Sequence, residues 1–322
     1  MKTSPYPVPA VAINERIVCK FGGTSLADAA QIRKVAAIVN ADARRRFVVV
    51  SAPGKRHAND QKITDLLLTC WHLAAQKLAY GEPLGLIRER YSQIAQELDV
   101  PPVDEPLAEM EQELARLAAG DGSTLASRDW MASRGEYFHA CLIAQFLNAV
   151  FVPAGECILF DEENQLAPIS YTNLAAQMNG DELYVVPGFY GRDQQGRIKT
   201  FPRGGSDITG AVVARAVGAS LYENWTDVSG LLMTDPRVVE NPKPIGEVTY
   251  RELRELAYMG ASVLHEETIF PAAEAGIPIQ IKTPTRRMTP ARASSRSATP
   301  PTAPSSASRA APASPRFISK KP

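Results

Sequence analysis

Two short, uninterrupted apolar runs, each closing on a glycine-containing loop, constrain this chain more than any other feature. Ile17-Val18-Cys19 passes through Lys20-Phe21 into Gly22-Gly23-Thr24-Ser25, and apolar residues then recur at helical spacing over 29–39. That order is strand, glycine turn, helix. The second run, Phe47-Val48-Val49-Val50, ends in Ser51-Ala52-Pro53-Gly54. Its β-branched residues do not alternate with polar ones, as expected of a strand in a parallel sheet covered on both faces. Helices are expected between 63 and about 118, broken at Pro101-Pro102, and again over 134–147. Strand and turn follow over 182–189, a helix over 206–217 and a strand over 221–225. Strands alternating with helices predict an α/β domain with a mainly parallel sheet, whose ligands sit beyond the carboxyl ends of the strands.

Composition limits the function classes. Of 322 residues, 45% are hydrophobic and 22% charged, the balance of an ordinary globular domain with a substantial core. No run of about 18 apolar residues occurs and the first 16 lack an apolar leader core, so a cytoplasmic protein without membrane partners is expected. Cys19, Cys70, Cys141 and Cys157 are far apart, and His57, His72, His139 and His265 are equally scattered. Neither set has metal-site spacing, so no metal ligands are assigned and the cysteines are read as small packing residues. The zero net charge is a sum of unlike parts. Lys plus Arg and Asp plus Glu total 35 each; eight of the basic and none of the acidic residues lie beyond Lys282, leaving 27 against 35, a net of −8, on the rest.

Three loops carry chemistry. In Lys20-Phe21-Gly22-Gly23-Thr24-Ser25 a glycine pair after a strand lets backbone N–H groups approach phosphate oxygens, with a lysine as point charge, although such pairs are also purely structural turns. The order is not that of a Walker A loop. Phe201-Pro202-Arg203-Gly204-Gly205-Ser206-Asp207 places a second glycine pair at a helix start, where Ser206 or Asp207 reads equally as an N-cap. Thr226-Asp227-Val228-Ser229-Gly230 with Thr234-Asp235-Pro236-Arg237 is a loop that turn chemistry alone would explain.

In this order the three loops, with Val50-Ser51-Ala52-Pro53-Gly54-Lys55, Lys62-Ile63-Thr64-Asp65 and Ser133-Arg134-Gly135-Glu136, resemble the aspartate kinases of the amino acid kinase superfamily, from about Ile17 to Lys282. The resemblance implies a three-layer αβα sandwich (the amino acid kinase fold) and transfer of the ATP γ-phosphoryl group to the side-chain carboxylate of L-aspartate, the entry to lysine, threonine and methionine biosynthesis. A carboxylate of pKa about 3.9 needs cations rather than a strong base. The resemblance gives Lys20 and Asp207 the catalytic roles, with the amides of Gly22 and Gly23 sharing charge on the phosphates. It assigns aspartate to Arg203 through the α-carboxylate, Glu136 through the α-ammonium, and Ser51, Thr64 and Ser206. ATP falls to Lys20, Gly22, Gly23, Thr226, Asp227, Asp235, Arg237 and Lys282, with Mg2+ carried largely by phosphates and water. Glutamate 5-kinase, another amino acid kinase, and an inactive truncated kinase are the alternatives.

The expected organisation is an N-terminal extension (1–16), a catalytic domain (17–282) and a basic tail (283–322). Aspartate kinases normally continue into regulatory ACT domains, through which they usually form homo-oligomers; here the chain turns to Pro, Ser, Ala and Arg. That composition buries too little apolar area to offset about 1–2 kcal/mol of backbone entropy per residue, so disorder is expected. Synonymous codons for the residues from Lys282 onward permit Asn-Thr-Asn, and later Asn-Asp-Pro-Gly-Thr-Arg-Ile-Val, in a shifted frame, which makes an out-of-frame continuation the sharper reading. A natural low-complexity tail and an arm for anionic surfaces are the alternatives. No fold motif for specific nucleic-acid recognition is present.

Overall fold

The computed structural model describes residues 15–202, 204–226 and 266–284, with short pieces at 239, 247–249, 252, 255 and 316–318. Its strands are β1 (Ile17–Phe21), β2 (Arg45–Val50), β3 (Val150–Phe151), β4 (Tyr184–Pro187), β5 (Tyr190–Arg192), β6 (Ile198–Thr200), β7 (Leu221–Trp225), β8 (Glu247–Thr249), β9 (Ile279–Lys282) and β10 (Arg316–Ile318). Its helices are α1 (Ala29–Asn40), α2 (Ile63–Ala75), α3 (Gly81–Leu98), α4 (Asp104–Ala119), α5 (Arg128–Leu147), α6 (Ala154–Cys157), α7 (Ile169–Gln177), α8 (Gly205–Ala216) and α9 (Glu266–Glu274). The sheet runs β3-β4-β2-β1-β7-β9-β10-β8, all parallel except for the β10–β8 pair, while β5 and β6 form a separate hairpin.

Strand alternation builds the three layers. Ile17, Cys19, Phe21, Val48 and Val50 face a core formed with α1 to α5. Val18, Phe47 and Val49 face a second core, formed with α6 to α9. Both faces are covered, as the unbroken apolar runs require, and the αβα sandwich is the observed fold. No helix among the described residues is long and apolar enough to cross a membrane.

Local signals set the element boundaries. Asp28 caps α1 by accepting from the Gln31 N–H at 2.8 Å, and Ser127 caps α5 through Trp130 N–H at 3.1 Å. These side chains satisfy donors that the first helical turn leaves open. The helical stretch from 63 to 119 divides twice, at the predicted Pro101-Pro102 and also at 76–80, which carries no proline. Helix α5 starts six residues earlier than the periodicity indicates, at its serine cap.

Of the tail, residues 283, 284 and 316–318 are among those described. Arg316–Ile318 lies between β9 and β8 as a strand, parallel to the first and antiparallel to the second. Phe317-Ile318 is the tail's one pair of adjacent β-favouring residues, and an open strand edge recruits such a segment.

Candidate active site

The carboxyl ends of β1, β2, β4, β7 and β9 converge on one edge of the sheet. The Ser51 N–H donates to Phe21 O (3.2 Å), Gly188 N–H to Val50 O (2.9 Å) and Thr226 N–H to Lys282 O (2.9 Å), so the segments leaving neighbouring strands stay side by side. Connections depart from β1 to β2 on one side and reach β7 on the other, which places a crevice at this switch point.

Alternation decides which side chains meet there. Lys20 shares a face with Val18, and its partners in register are Val49 and Asn224. It therefore points at α8, where Asp207 occupies the first turn: Lys20 Nζ lies 2.7 Å from Asp207 Oδ1. The same carboxylate oxygen accepts from Asn224 Nδ2 at 2.8 Å, and the Tyr222 hydroxyl donates to the Asp207 carbonyl at 3.1 Å. A buried lysine, a partly exposed aspartate and a buried asparagine from three elements thus form one polar group. An Asp at a helix N-terminus is also favoured by the helix dipole. Gly204, at φ +76°, supplies the left-handed turn that starts α8, and a Cβ there would come 2.5 Å from Thr268.

On the other side of Lys20, Gly23 and Gly54 touch backbone to backbone. A Cβ on Gly23 would lie 2.8 Å from Ala52 O, and one on Gly54 would lie 2.6 Å from Gly23 C. Gly54 N–H donates to Gly23 O at 2.9 Å. The loops after β1 and β2 are thereby fused into one rim. The Gly22 N–H donates to Trp225 O at 2.9 Å, extending the β1–β7 ladder by one step.

Helix α5 brings Glu136 under this rim because Gly135 lets it approach; a Cβ at Gly135 would fall 2.8 Å from Ala52 Cβ. Glu136 is buried at 5% exposure, and its Oε2 has no hydrogen-bond partner. Burial pushes its carboxyl up to about 8, against the opposing effects of a backbone hydrogen bond from Ala52 and the positive charge of Lys20. One turn on, His139 Nδ1–H donates to Ser51 O at 2.8 Å while its Nε2 is buried without a partner. Burial pulls that imidazole down to about 4.

Ser51 and Thr64 are half-buried at the end of β2 and in the first turn of α2, and α2 packs on α5. Ser206 packs against Gly188, where a Cβ would lie 2.8 Å from its own. The next residue, Phe189, has φ +80°, an uncommon conformation for an aromatic side chain, fixed by its N–H donating to Thr209 Oγ1 at 3.0 Å. Arg203, Asp227, Asp235 and Arg237 lie outside the described residues.

Lys282 ends β9 beside Thr226, but its ammonium is held by Glu223 and sits 5.1 Å from the Trp225 ring centroid. Glu223, 1% exposed, also accepts from Arg45 Nε (2.9 Å) and Nη2 (3.2 Å), the Trp225 indole (3.0 Å) and the Cys19 thiol (3.3 Å). Burial would raise its pKa, yet Lys282 and Arg45 outweigh that and hold it below the ordinary value. Glu223 and Asn224 were missed by sequence reasoning, although polar residues inside a run that must be a buried strand are themselves a signal.

A lysine clamped by Asp207 and a buried carboxylate, Glu136, with one oxygen unpartnered thus stand together at the switch point of a mainly parallel αβα sheet. Residues 15–283 match the amino acid kinase family, and the chain belongs to it. The chain is 44% identical over 278 residues to aspartokinase 3 of Bacillus subtilis, covering 82% of this chain and 60% of that protein. It is 34% identical over 295 residues to the lysine-sensitive aspartokinase 3 of Escherichia coli, covering 83% and 61%. Among solved structures it is similar to the Clostridium acetobutylicum aspartate kinase, with TM-score 0.74 and 44% identity over 84% of this chain and 59% of that one. It is also similar to E. coli aspartokinase III in complex with aspartate and ADP, with TM-score 0.70 and 33% identity over 84% and 62%. The chain therefore spans about three-fifths of the length of these relatives.

Proposed function

We propose that this chain is the catalytic portion of an aspartate kinase that transfers the ATP γ-phosphoryl group to the side-chain carboxylate of L-aspartate, giving 4-phospho-L-aspartate and ADP. The supporting observation is the pairing of opposites in one crevice: a buried lysine clamped by Asp207, and a buried carboxylate, Glu136, with one oxygen unpartnered. Glu136 is poised for an α-ammonium, since a buried acceptor without a donor is costly until a ligand supplies one. Arg203 takes the α-carboxylate in this reading, and Ser51, Thr64 and Ser206 complete the contacts.

The acceptor carboxylate is ionised at neutral pH, so one of its oxygens attacks the γ-phosphorus directly while the bond to the ADP oxygen breaks; no proton need move. The obstacle is the approach of an anion to a polyanion. Lys20 neutralises the transferring group, Asp207, itself held by Asn224, fixes the ammonium, and the Gly22-Gly23 turn lets the backbone come close. Asp227, Asp235, Arg237, Thr226 and Lys282 take the nucleotide. Magnesium, held by the ATP phosphates and water, would supply charge neutralisation on the nucleotide. The reading carries with it the cytoplasm as the place of action and a homo-oligomeric parent protein.

ADP release by the purified chain with MgATP, with and without L-aspartate and in parallel with L-glutamate, tests the reading. Aspartate-dependent release that Asp207→Ala abolishes is the expected outcome. Release with glutamate alone, or no release from a chain that melts cooperatively, would overturn it.

A further inference from the structure

Ser133-Arg134-Gly135-Glu136 contributes Glu136 to the crevice and leaves Arg134 unexplained. Residues two apart on a helix point about 200° from one another, so the two side chains leave opposite sides of α5. Arg134 is buried at 8% exposure, with its guanidinium 4.6 Å from the Trp130 ring centroid and 4.5 Å from that of Tyr137. Its hydrogen bonds go only to neutral oxygens: Nε to Trp130 O and Ser133 Oγ, both at 3.3 Å, and Nη2 to Ser133 Oγ at 3.0 Å. No carboxylate pairs with it among the described residues. Burial draws its pKa below the ordinary value, the penalty that an anion beside it would relieve.

Arg134 forms part of the wall of a cavity of about 680 Å3 between the start of α5, α6 and the β5–β6 hairpin, well within the size range of small-molecule sites. Arg192 and Arg197 line it too. Arg197 is engaged by Asp193 at 2.9 Å, but Arg192 Nε is buried without a partner. Glu109 and Glu156, the carboxylates of this wall, are exposed and solvated. The buried unmet hydrogen-bonding capacity inside is therefore on a donor, and the wall also carries apolar side chains, Phe151, Tyr190 and Ile198 among them. We propose that this cavity is a second binding site, separate from the catalytic crevice, for a small organic oxyanion, a carboxylate or a phosphate ester, gripped by Arg134 and Arg192 with its apolar part against those three residues.

Phenyl phosphate and benzoate, titrated into the full chain by calorimetry at ionic strength held constant with sodium chloride, separate the two anion types. At least one is expected to bind at a single site with a Kd of about 1 mM or lower. Arg134→Gln and Arg192→Gln should each weaken it by at least about tenfold, the loss of one charge-assisted contact, while Lys20→Ala leaves it unchanged. Should Arg134→Gln fail to fold, half-buried Arg192 decides: a tenfold loss supports the site and undiminished binding overturns it. Absence of binding by either probe at about 10 mM overturns it as well. So does binding that survives both arginine substitutions and disappears with Lys20→Ala, which would put the anion in the crevice.

Discussion

If Glu136 receives the substrate ammonium, the pH dependence of aspartate affinity follows from its burial. With its carboxyl raised to about 8, roughly one-tenth of free protein holds it ionised at pH 7, and nearly all does so at pH 9. Only the ionised form pairs with an ammonium. The apparent KM for aspartate at saturating MgATP should therefore fall about tenfold between pH 7 and pH 9, with a slope near one decade per unit below the pKa. Glu136→Gln preserves volume and an acceptor for the Ala52 N–H but removes the charge. A charge-assisted hydrogen bond contributes about 1.5–3 kcal/mol, so KM at pH 9 should rise roughly 10- to 150-fold and lose its pH dependence. Coupled measurement of ADP release at pH 6.5–9 with aspartate varied reads both. A stability signature accompanies it. Between about 4.5 and 8 the folded state keeps a proton that the unfolded state has lost, so stability declines as pH rises through that window, by about 1.4 kcal/mol per unit at most. The Gln variant removes this slope. A flat wild-type KM would mean that Glu136 is ionised in the free protein, and an unchanged KM in the variant would exclude it from the site.

Four other outcomes are expected. Asp207→Asn keeps a hydrogen bond to Asn224 but not the charge that fixes Lys20, and kcat should fall by roughly 10²–10³ with the circular dichroism spectrum unchanged. Gly23→Ala drives a Cβ to 2.8 Å from Ala52 O and 3.2 Å from Gly54 Cα, both backbone atoms. It should cost about 1–3 kcal/mol in urea unfolding, whereas Gly85→Ala in α3, whose Cβ meets nothing within 4 Å, should be neutral or stabilising by up to about 1 kcal/mol. Glu223→Gln strands Arg45 and Lys282 around a neutral centre and should destabilise by about 3–5 kcal/mol, with KM for ATP rising more than KM for aspartate. His139, at about 4 when folded against about 6.5 unfolded, leaves the unfolded state binding the extra proton between those values. Stability should then drop by up to about 3 kcal/mol on acidification from pH 6.5 to 4, and His139→Gln should reduce that loss.

How much of this could be read beforehand depends on the range of the cause. Strands β1, β2 and β7 were legible because burial on both faces leaves a continuous apolar run, a purely local mark. The β5–β6 hairpin and α7 were not, since Tyr190 and Ile198 owe their placement to the neighbouring core rather than to any periodicity of their own. At the site, Lys20, Glu136 and Asp207 entered through motif resemblance. Their arrangement follows from period-two alternation, which sends Lys20 toward α8 and could have been drawn from the sequence once the strand was accepted. The bond from Gly22 to Trp225 was not legible for a corresponding reason: a glycine after a strand reads the same whether its N–H faces a ligand or the next strand, and the β7 pairing shows only in the fold.

The same alternation separates the two lysines of the nucleotide reading. Lys20 lies on the α8 face of the sheet, with Asn224 as its neighbour in register. Lys282 is in register with Trp225 and shares the opposite face with Glu223 and Cys19. Both nevertheless stand at the carboxyl edge, so a triphosphate touching both would lie across the ends of β1, β7 and β9 rather than along either face. Each ammonium also has a carboxylate already beside it, Asp207 for one and Glu223 for the other. The lysines are thus charge-balanced, which avoids two unpaired cations in a crevice. The two carboxylates differ in a way that assigns their roles. Glu223 is enclosed and is held by Arg45 as well as by Lys282. Asp207 is more open, at 22% side-chain exposure, and in the proposed reading it faces the reacting groups. Phosphate contact should therefore redistribute hydrogen bonds at Asp207 while the Glu223 cluster stays as it is.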